Sequence, residues 1–310
     1  HLMCRQVRHR LKVSDEMKKV VWVVGGLVLA GPVSAEDINQ RVDAAADGTV
    51  EIYNTSGSVT VEGWSQQAVE VTGTLGQEVD EFIFERDGDE VLVKVKPKHG
   101  RSGSRSHSSH IVVRVPEGSS IEVATVSADI EVSDVQGEQE LQSVSGDIET
   151  TSLARELEAE TVSGDIDVEG SGKETELELV SVSGDITATK MAGAANLESV
   201  NGNVALSGGA FSDVAFETVN GRIDFDGTLE KGGDLDIETV NGRINVNFNG
   251  DVSAEFDIET FNGRIKNCFG PEAERVSKYA PGWELRFTEG GGDSNLTIES
   301  LNGAVTLCKG

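Results

Sequence analysis

Apolar and polar residues alternate with a period of two along most of this chain. Leu157, Ala159 and Thr161 alternate with Glu156, Glu158 and Glu160, the mark of a half-buried β-strand. Val50-Glu51-Ile52-Tyr53, Val69-Glu70-Val71, Val91-Leu92-Val93-Lys94-Val95 and Ile111-Val112-Val113-Arg114-Val115 behave in the same way. The runs are short and end in Gly, Ser or Asn, so the pattern predicts many strands joined by tight turns.

The alternation is itself repeated. A Ser or Thr, an apolar residue, Ser or Asn, Gly, a variable residue and then Ile or Val recur as Ser143–Ile148, Thr161–Ile166, Ser181–Ile186, Ser199–Val204, Thr218–Ile223, Thr239–Ile244, Thr260–Ile265 and Ser300–Val305. Thr125–Ile130 is a degenerate copy, and Thr55-Ser56-Gly57-Ser58-Val59 is an outlying first one. The repeat glycines 146, 164, 184, 202, 221, 242 and 263 are spaced by 18, 20, 18, 19, 21 and 21 residues. A strand-rich period near 20 predicts an all-β, single-domain parallel β-solenoid (β-helix) of about 18–21 residues per repeat, right-handed by the general crossover rule. Gly is expected at the corner because a sharp turn usually demands positive φ.

Asn-Gly between alternating strands is also a hairpin signal, which would give an antiparallel meander instead. The matching column Asn201, Asn220, Asn241, Asn262 and Asn302 favours parallel turns, because stacked amides can hydrogen-bond along a ladder. This column is the expected structural turn ladder. The expected organisation is irregular β-rich coils and an N-terminal cap over 36–123, regular repeats over 124–265, and C-terminal coils with a cap over 266–310. A small separate sandwich is the alternative for the segment before 124.

The opening residues read as an address. Met17-Lys18-Lys19, the apolar run Val20–Ala30 and Val33-Ser34-Ala35 have the form of a secretory signal peptide over 17–35, cleaved after Ala35. The run is shorter than the roughly 20 residues a membrane span needs. Residues 1–16 are then an over-extended start. These features predict export to the periplasm, the cell surface or the extracellular space, with membrane contact only through the leader before its cleavage.

Charge narrows the partners. The 310 residues hold 26 Lys or Arg and 54 Asp or Glu, a net charge of −28. Removing 1–35 takes six basic and two acidic residues, leaving 20 against 52 and a net of −32. Nucleic acid is excluded as a partner, since phosphate binding needs a basic face. Only 5% of residues are aromatic, while Gly numbers 36 and Pro 5; this composition suits strands and turns better than a helical enzyme.

Stacked copies turn repeat positions into columns. The residue after the corner Gly is Asp129, Asp147, Asp165 and Asp185, then Asn203, then Arg222, Arg243 and Arg264. The Asp column is a candidate Ca²⁺ site, because clustered carboxylates suit a hard cation. No other cofactor is expected. The Arg column is a candidate binding site for an anionic glycan or lipid headgroup, because guanidinium forks suit carboxylate and phosphate. A further column, Glu160, Glu198, Glu217, Glu238, Glu259 and Glu299, precedes the repeat Ser or Thr. A plainer account has Glu and Arg offsetting one another at the surface, worth only about 0–1 kcal/mol per pair.

Cys268 and Cys308 each lie five residues after a repeat Gly, and are predicted to form a disulfide that fastens the last coil. Phe269, Tyr279, Trp283 and Phe287 are expected to plug the solenoid end rather than to form a ligand platform. Lys94, Lys96, Lys98, Arg101, Arg105 and Arg114, with His99, His107 and His110, make one basic island in a Gly/Ser-rich loop, read as solvated and able to dock on acidic surface.

The Thr/Ser-Val-Ser/Asn-Gly-Asp/Arg-Ile units, the stretch Asn54–Trp64 and the closing Ser300-Leu301-Asn302-Gly303 resemble the bacterial putative adhesin family of exported β-strand-repeat proteins, over nearly all of 48–310. The resemblance implies a β-solenoid at the cell envelope and supplies no catalytic residues. No Gly-x-Ser-x-Gly elbow or separated carboxylate pair stands out. The expected function is therefore a non-catalytic, adhesin-like binding or structural module, whose partner is an envelope glycan or another envelope protein. The alternative is a polysaccharide-active lyase or hydrolase on the same scaffold.

Overall fold

The computed structural model describes residues 36–98, 108–152, 154–277 and 281–310, all within one unit, Ser34–Gly310. The expected signal peptide over 17–35 and residues 1–16 lie outside the described residues, as do His99, Arg101, Arg105, His107 and Tyr279. Strands come first as β1 (Glu36–Asp43), β2 (Thr49–Trp64), β3 (Ala68–Leu75), β4 (Val79–Asp87), β5 (Glu90–Pro97) and β6 (Ser109–Pro116). The repeat copies supply β7 (Ser120–Ser133), β8 (Gln139–Ser143), β9 (Ile148–Ser152), β10 (Glu156–Thr161) and β11 (Ile166–Gly170). They continue through β12 (Glu174–Ser183), β13 (Ile186–Asn201), β14 (Val204–Asn220), β15 (Ile223–Asn241) and β16 (Ile244–Phe248). The closing group is β17 (Ala254–Thr260), β18 (Ile265–Asn267), β19 (Glu274–Arg275), β20 (Trp283–Glu289), β21 (Ser294–Asn302) and β22 (Val305–Lys309).

Repeat copies pair in parallel, with equivalent residues side by side. Ile166 lies between Ile148 and Ile186, and Asn220 between Asn201 and Asn241. The Asn-Gly corners therefore do not close hairpins; each leads into a strand that pairs with the next copy. Period-two alternation sends one set of side chains inward. Ile130, Ile148, Ile166, Ile186, Val204, Ile223, Ile244 and Val305 form one buried column. Each such side chain contributes about 1.5–3 kcal/mol when fully removed from water. Towards the closing group the core becomes aromatic. Phe225, Phe248 and Phe256 meet edge to face at 5.9 and 6.2 Å, and Phe256 stacks on Phe287 at 4.3 Å. Phe269 lies 5.5 Å from Phe256, so Phe269 and Phe287 belong to this plug while Trp283 does not.

The corner glycines serve a different purpose from the one expected. A Cβ on Gly242 would lie 1.9 Å from the Gly221 carbonyl oxygen, and one on Gly303 1.8 Å from that of Gly242. Neither glycine has a positive φ. Close stacking of one turn on the next excludes a side chain here, and left-handed backbone is not the reason.

The all-β class holds, but the expected single-domain parallel β-solenoid is not what forms, and that expectation is corrected. Among the described residues all 22 strands join one sheet system, and five of its pairings are antiparallel: β1–β3, β3–β6, β4–β5, β17–β20 and β19–β20. Reversing ribbons therefore flank the parallel copies at both ends. The parallel order is also broken. β15 pairs with β21, and β21 with β17, so the last copy in sequence lies between two earlier ones. The physical reason is that every copy offers the same strand edge. Repeat spacing fixes the register of a pairing but not which copies become neighbours.

Candidate functional site

The Asn column forms a side-chain ladder along one corner. Asn220 Nδ2 donates to Asn201 Oδ1 at 2.9 Å, and Asn241 Nδ2 to Asn220 Oδ1 at 3.0 Å. Asn302 then donates to Asn241 and Asn262 to Asn302, each at 2.9 Å. The ladder therefore runs 201, 220, 241, 302, 262.

The Asp column is tied to backbone. Asp147 N–H donates to Asp129 Oδ1 at 3.2 Å, Asp165 N–H to Asp147 Oδ1 at 2.9 Å, and Asp185 N–H to Asp165 Oδ1 at 2.8 Å. Asn203 N–H donates to Asp185 Oδ1 at 2.7 Å. Each carboxylate thus satisfies a corner amide of the following turn. Among the described residues no group of three or more His, Cys, Asp or Glu is placed to hold a metal ion.

The Arg column is interrupted. Arg222 and Arg243 stand on adjacent turns, but Ala304 lies between Arg243 and Arg264. Ile244 N–H donates to the Ala304 carbonyl, and Val305 N–H to that of Arg264. Arg222 is 3.7 Å from Asp224 Oδ2. Arg243 and Arg264 have no ion-pair partner among the described residues.

Arg264 instead opens onto a groove of about 820 Å³. One wall is the corner of the outermost turns, with Phe261, Asn262, Arg264 and Asn302; the other carries Arg275 and Trp283. The Arg275 guanidinium sits 5.2 Å from the Trp283 ring centre, a cation–π contact. Phe261 is 50% exposed. The groove so combines two guanidinium groups, two aromatic faces and the end of the amide ladder. Sequence reasoning missed Arg275 and assigned Trp283 to the plug. The pairing of Arg275 with Trp283 across β19 and β20 is what brings them together, and no repeat position announces it.

The Glu column is continuous only in part. Val180 separates Glu160 from Glu198, after which Glu198, Glu217, Glu238, Glu299 and Glu259 stand on successive turns. Burial, followed by the charges of Glu198 and Glu238, pushes the Glu217 carboxyl above its ordinary range. Glu140 is raised by burial and then by Glu122, Glu158 and Glu160. At the end of the row Arg286 bonds Asp257 at 2.9 Å and also pairs with Glu259.

The described part of the basic island is engaged locally. Arg114 pairs with Glu62 at 2.9 Å and Glu70 at 3.3 Å, and Lys96 with Glu81 at 2.8 Å. Lys94 lies over the Tyr53 ring at 4.7 Å, and His110 Nδ1 is 2.9 Å from Ser58 Oγ. Cys268 and Cys308 are joined by a disulfide, with Cα atoms 4.8 Å apart.

A family model described as Toastrack DUF4097 matches residues 48–307. Among solved structures, a putative adhesin from Bacteroides fragilis is 14% identical, with 89% of this chain and 98% of that chain covered and a TM-score of 0.46. A putative adhesin from Parabacteroides distasonis is 11% identical, with coverage of 88% and 98% and a TM-score of 0.44. A putative lipid binding protein from Parabacteroides distasonis is 13% identical, with coverage of 87% and 96% and a TM-score of 0.33. No curated protein matches the chain.

Proposed function

The chain belongs to the Toastrack DUF4097 family, and we propose that it works as an exported, non-catalytic, adhesin-like binding module of the cell envelope. Its ligand in this reading is an acidic saccharide, held in the groove between the outermost corner and the Arg275–Trp283 ribbon. The observation that carries the reading is the groove's lining: Arg264 without an ion-pair partner among the described residues, Arg275 stacked on Trp283, and the exposed ring of Phe261 beside Asn262 and Asn302. Guanidinium groups fork onto carboxylates, amides bond hydroxyls, and aromatic faces pack against sugar C–H surfaces. A chain this acidic otherwise repels anions, so the paired arginines are a local exception.

Titration calorimetry of the purified protein with uronic-acid oligosaccharides and with neutral oligosaccharides of equal length tests it. The acidic series is expected to bind, and Arg264→Ala and Trp283→Ala each to weaken binding at least tenfold without lowering the melting temperature. Equal binding of both series, no binding of either, or unchanged affinity in both variants would overturn it.

A further inference from the structure

The apolar residue of each repeat corner, one position before the Asn or Ser, points to solvent. In stacking order these are Val126, Val144, Val162, Val182, Val200, Val219, Val240, Leu301 and Phe261. Val126 is 48% exposed, Leu301 47% and Phe261 50%, and the row between them is exposed or half-exposed throughout. Nine residues on a parallel ladder, eight steps of about 4.8 Å, make an apolar row about 38 Å long. Isolated exposed hydrophobics need no explanation, but a contiguous row marks an interaction surface.

Three residues further on, the column beside this row reads Asp129, Asp147, Asp165, Asp185, Asn203, Arg222, Arg243, Ala304 and Arg264. It is antisymmetric about its middle member. Turned end for end on itself about Asn203, it sets Asp185 against Arg222, Asp165 against Arg243 and Asp129 against Arg264, with Asp147 opposite the neutral Ala304. The apolar row turns about Val200 in the same operation, so Val182 meets Val219, Val162 meets Val240, Val144 meets Leu301 and Val126 meets Phe261.

We propose that this edge is a self-recognition surface, on which two copies of the chain pair antiparallel about a two-fold axis through Val200 and Asn203. Such an isologous interface needs one patch that complements itself, and this one does so in both charge and apolarity. Parallel pairing would set Asp on Asp and Arg on Arg, and an axial shift of two turns would set Asp185 or Arg222 against its own copy; a shift of one turn cuts the opposite-charge contacts of the dimer from six to four. A patch about 38 Å long reaches the usual ~800 Å² per partner at a width of about 20 Å. The proposal goes beyond the saccharide groove and uses mostly different residues: the groove shares Phe261, Arg264 and Ala304 with the far end of the two columns.

Charge reversal tests the pairing in sedimentation experiments on the full chain. The native protein is expected to be a dimer. Asp165→Arg/Asp185→Arg and Arg222→Asp/Arg243→Asp are each expected to be monomeric, and their equimolar mixture to recover a dimer containing one of each. The column already carries Arg on two adjacent turns, so it accommodates both residue types. As a second measurement, Val200→Cys in a Cys4→Ser background is expected to cross-link to itself on oxidation, while Val126→Cys cross-links only to Phe261→Cys. A monomeric native chain, dimers in both charge variants, a folded mixture that fails to pair, or no Val200→Cys cross-link would each overturn the proposal. A native monomer that binds a hydrophobic dye, and loses it in Val182→Glu/Val219→Glu, would assign the row to a lipid or another apolar partner instead.

Discussion

Asn302 donates its side-chain amide to Asn241 Oδ1 at 2.9 Å across 61 residues of sequence, whereas Asn262, far nearer Asn241 in the chain, joins the ladder only through Asn302. Two copies that follow one another in sequence are thus held apart by a third. β21 has a parallel partner on each side, β15 and β17, while β17 has β21 on one side and the antiparallel β20 on the other.

Position in the ladder sets the value of each asparagine. Asn241 both donates to Asn220 and accepts from Asn302, so Asn241→Ala removes two side-chain bonds. At about 0.5–1.5 kcal/mol each, urea unfolding should show a loss of about 1–3 kcal/mol. Asn262→Ala, which removes one bond at the end of the row, should show about half that.

Gly242→Ala would place a methyl group 1.9 Å from the Gly221 carbonyl oxygen, with backbone on both sides of the clash. The turns must separate to admit it, an overpacking loss of about 3 kcal/mol. Gly250→Ala meets no atom within 4 Å but carries a φ of 101°, so it costs only the left-handed backbone penalty of about 1–2 kcal/mol. Denaturant midpoints of the two variants should rank in that order.

The Cys268–Cys308 bond closes a segment of sequence separation 40. On the chain-entropy account a loop of that length contributes about 4 kcal/mol. Reduction, or the Cys268→Ser/Cys308→Ser variant, should lower the melting temperature accordingly. Mass spectrometry after alkylation without prior reduction should leave both cysteines unmodified.

Acid should at first stabilise the fold. The Glu217 and Glu140 carboxyls are raised, so the folded state takes up their protons before the unfolded chain does. Stability then rises as pH falls from neutral through the raised values, and stops rising at the ordinary carboxylate pKa. Glu217→Gln should raise the melting temperature at pH 7 and flatten its slope between pH 7 and 5. Asp251 and Asp293 act in the opposite sense. Hydrogen bonds from Lys309 and from Ser253, respectively, hold them low, so their contribution persists above the ordinary carboxylate range and is lost below it.

The sequence carries the strands, the parallel register and the columns, because each follows from period-two alternation and a constant corner. Leu157, Ala159 and Thr161 point inward, as their alternation with Glu requires. The same parity places Val162 outward, so the exposed row was legible in the repeat, although its apolar residues look like core. Stacking order was not legible. Asn241, Asn262 and Asn302 sit in equivalent frames, and any two could be neighbours. The antiparallel ribbons at both ends were equally hidden, since alternation reads the same in either direction. Arg275 and Trp283 meet because β19 and β20 reverse, a contact outside the repeat. The glycine column was found for the wrong reason, as spacing cannot distinguish a strained corner from a crowded one.

The intercalated copy also imposes a sequence of events on a chain made from its N-terminus. When β17 first emerges, the free edge of β15 offers it a matching register, with Asn262 able to dock on Asn241. The segment that belongs there is still some 40 residues away. Productive folding requires that this early docking stay reversible until β21 arrives and displaces it, so a slow phase should be sensitive to how firmly β17 first holds.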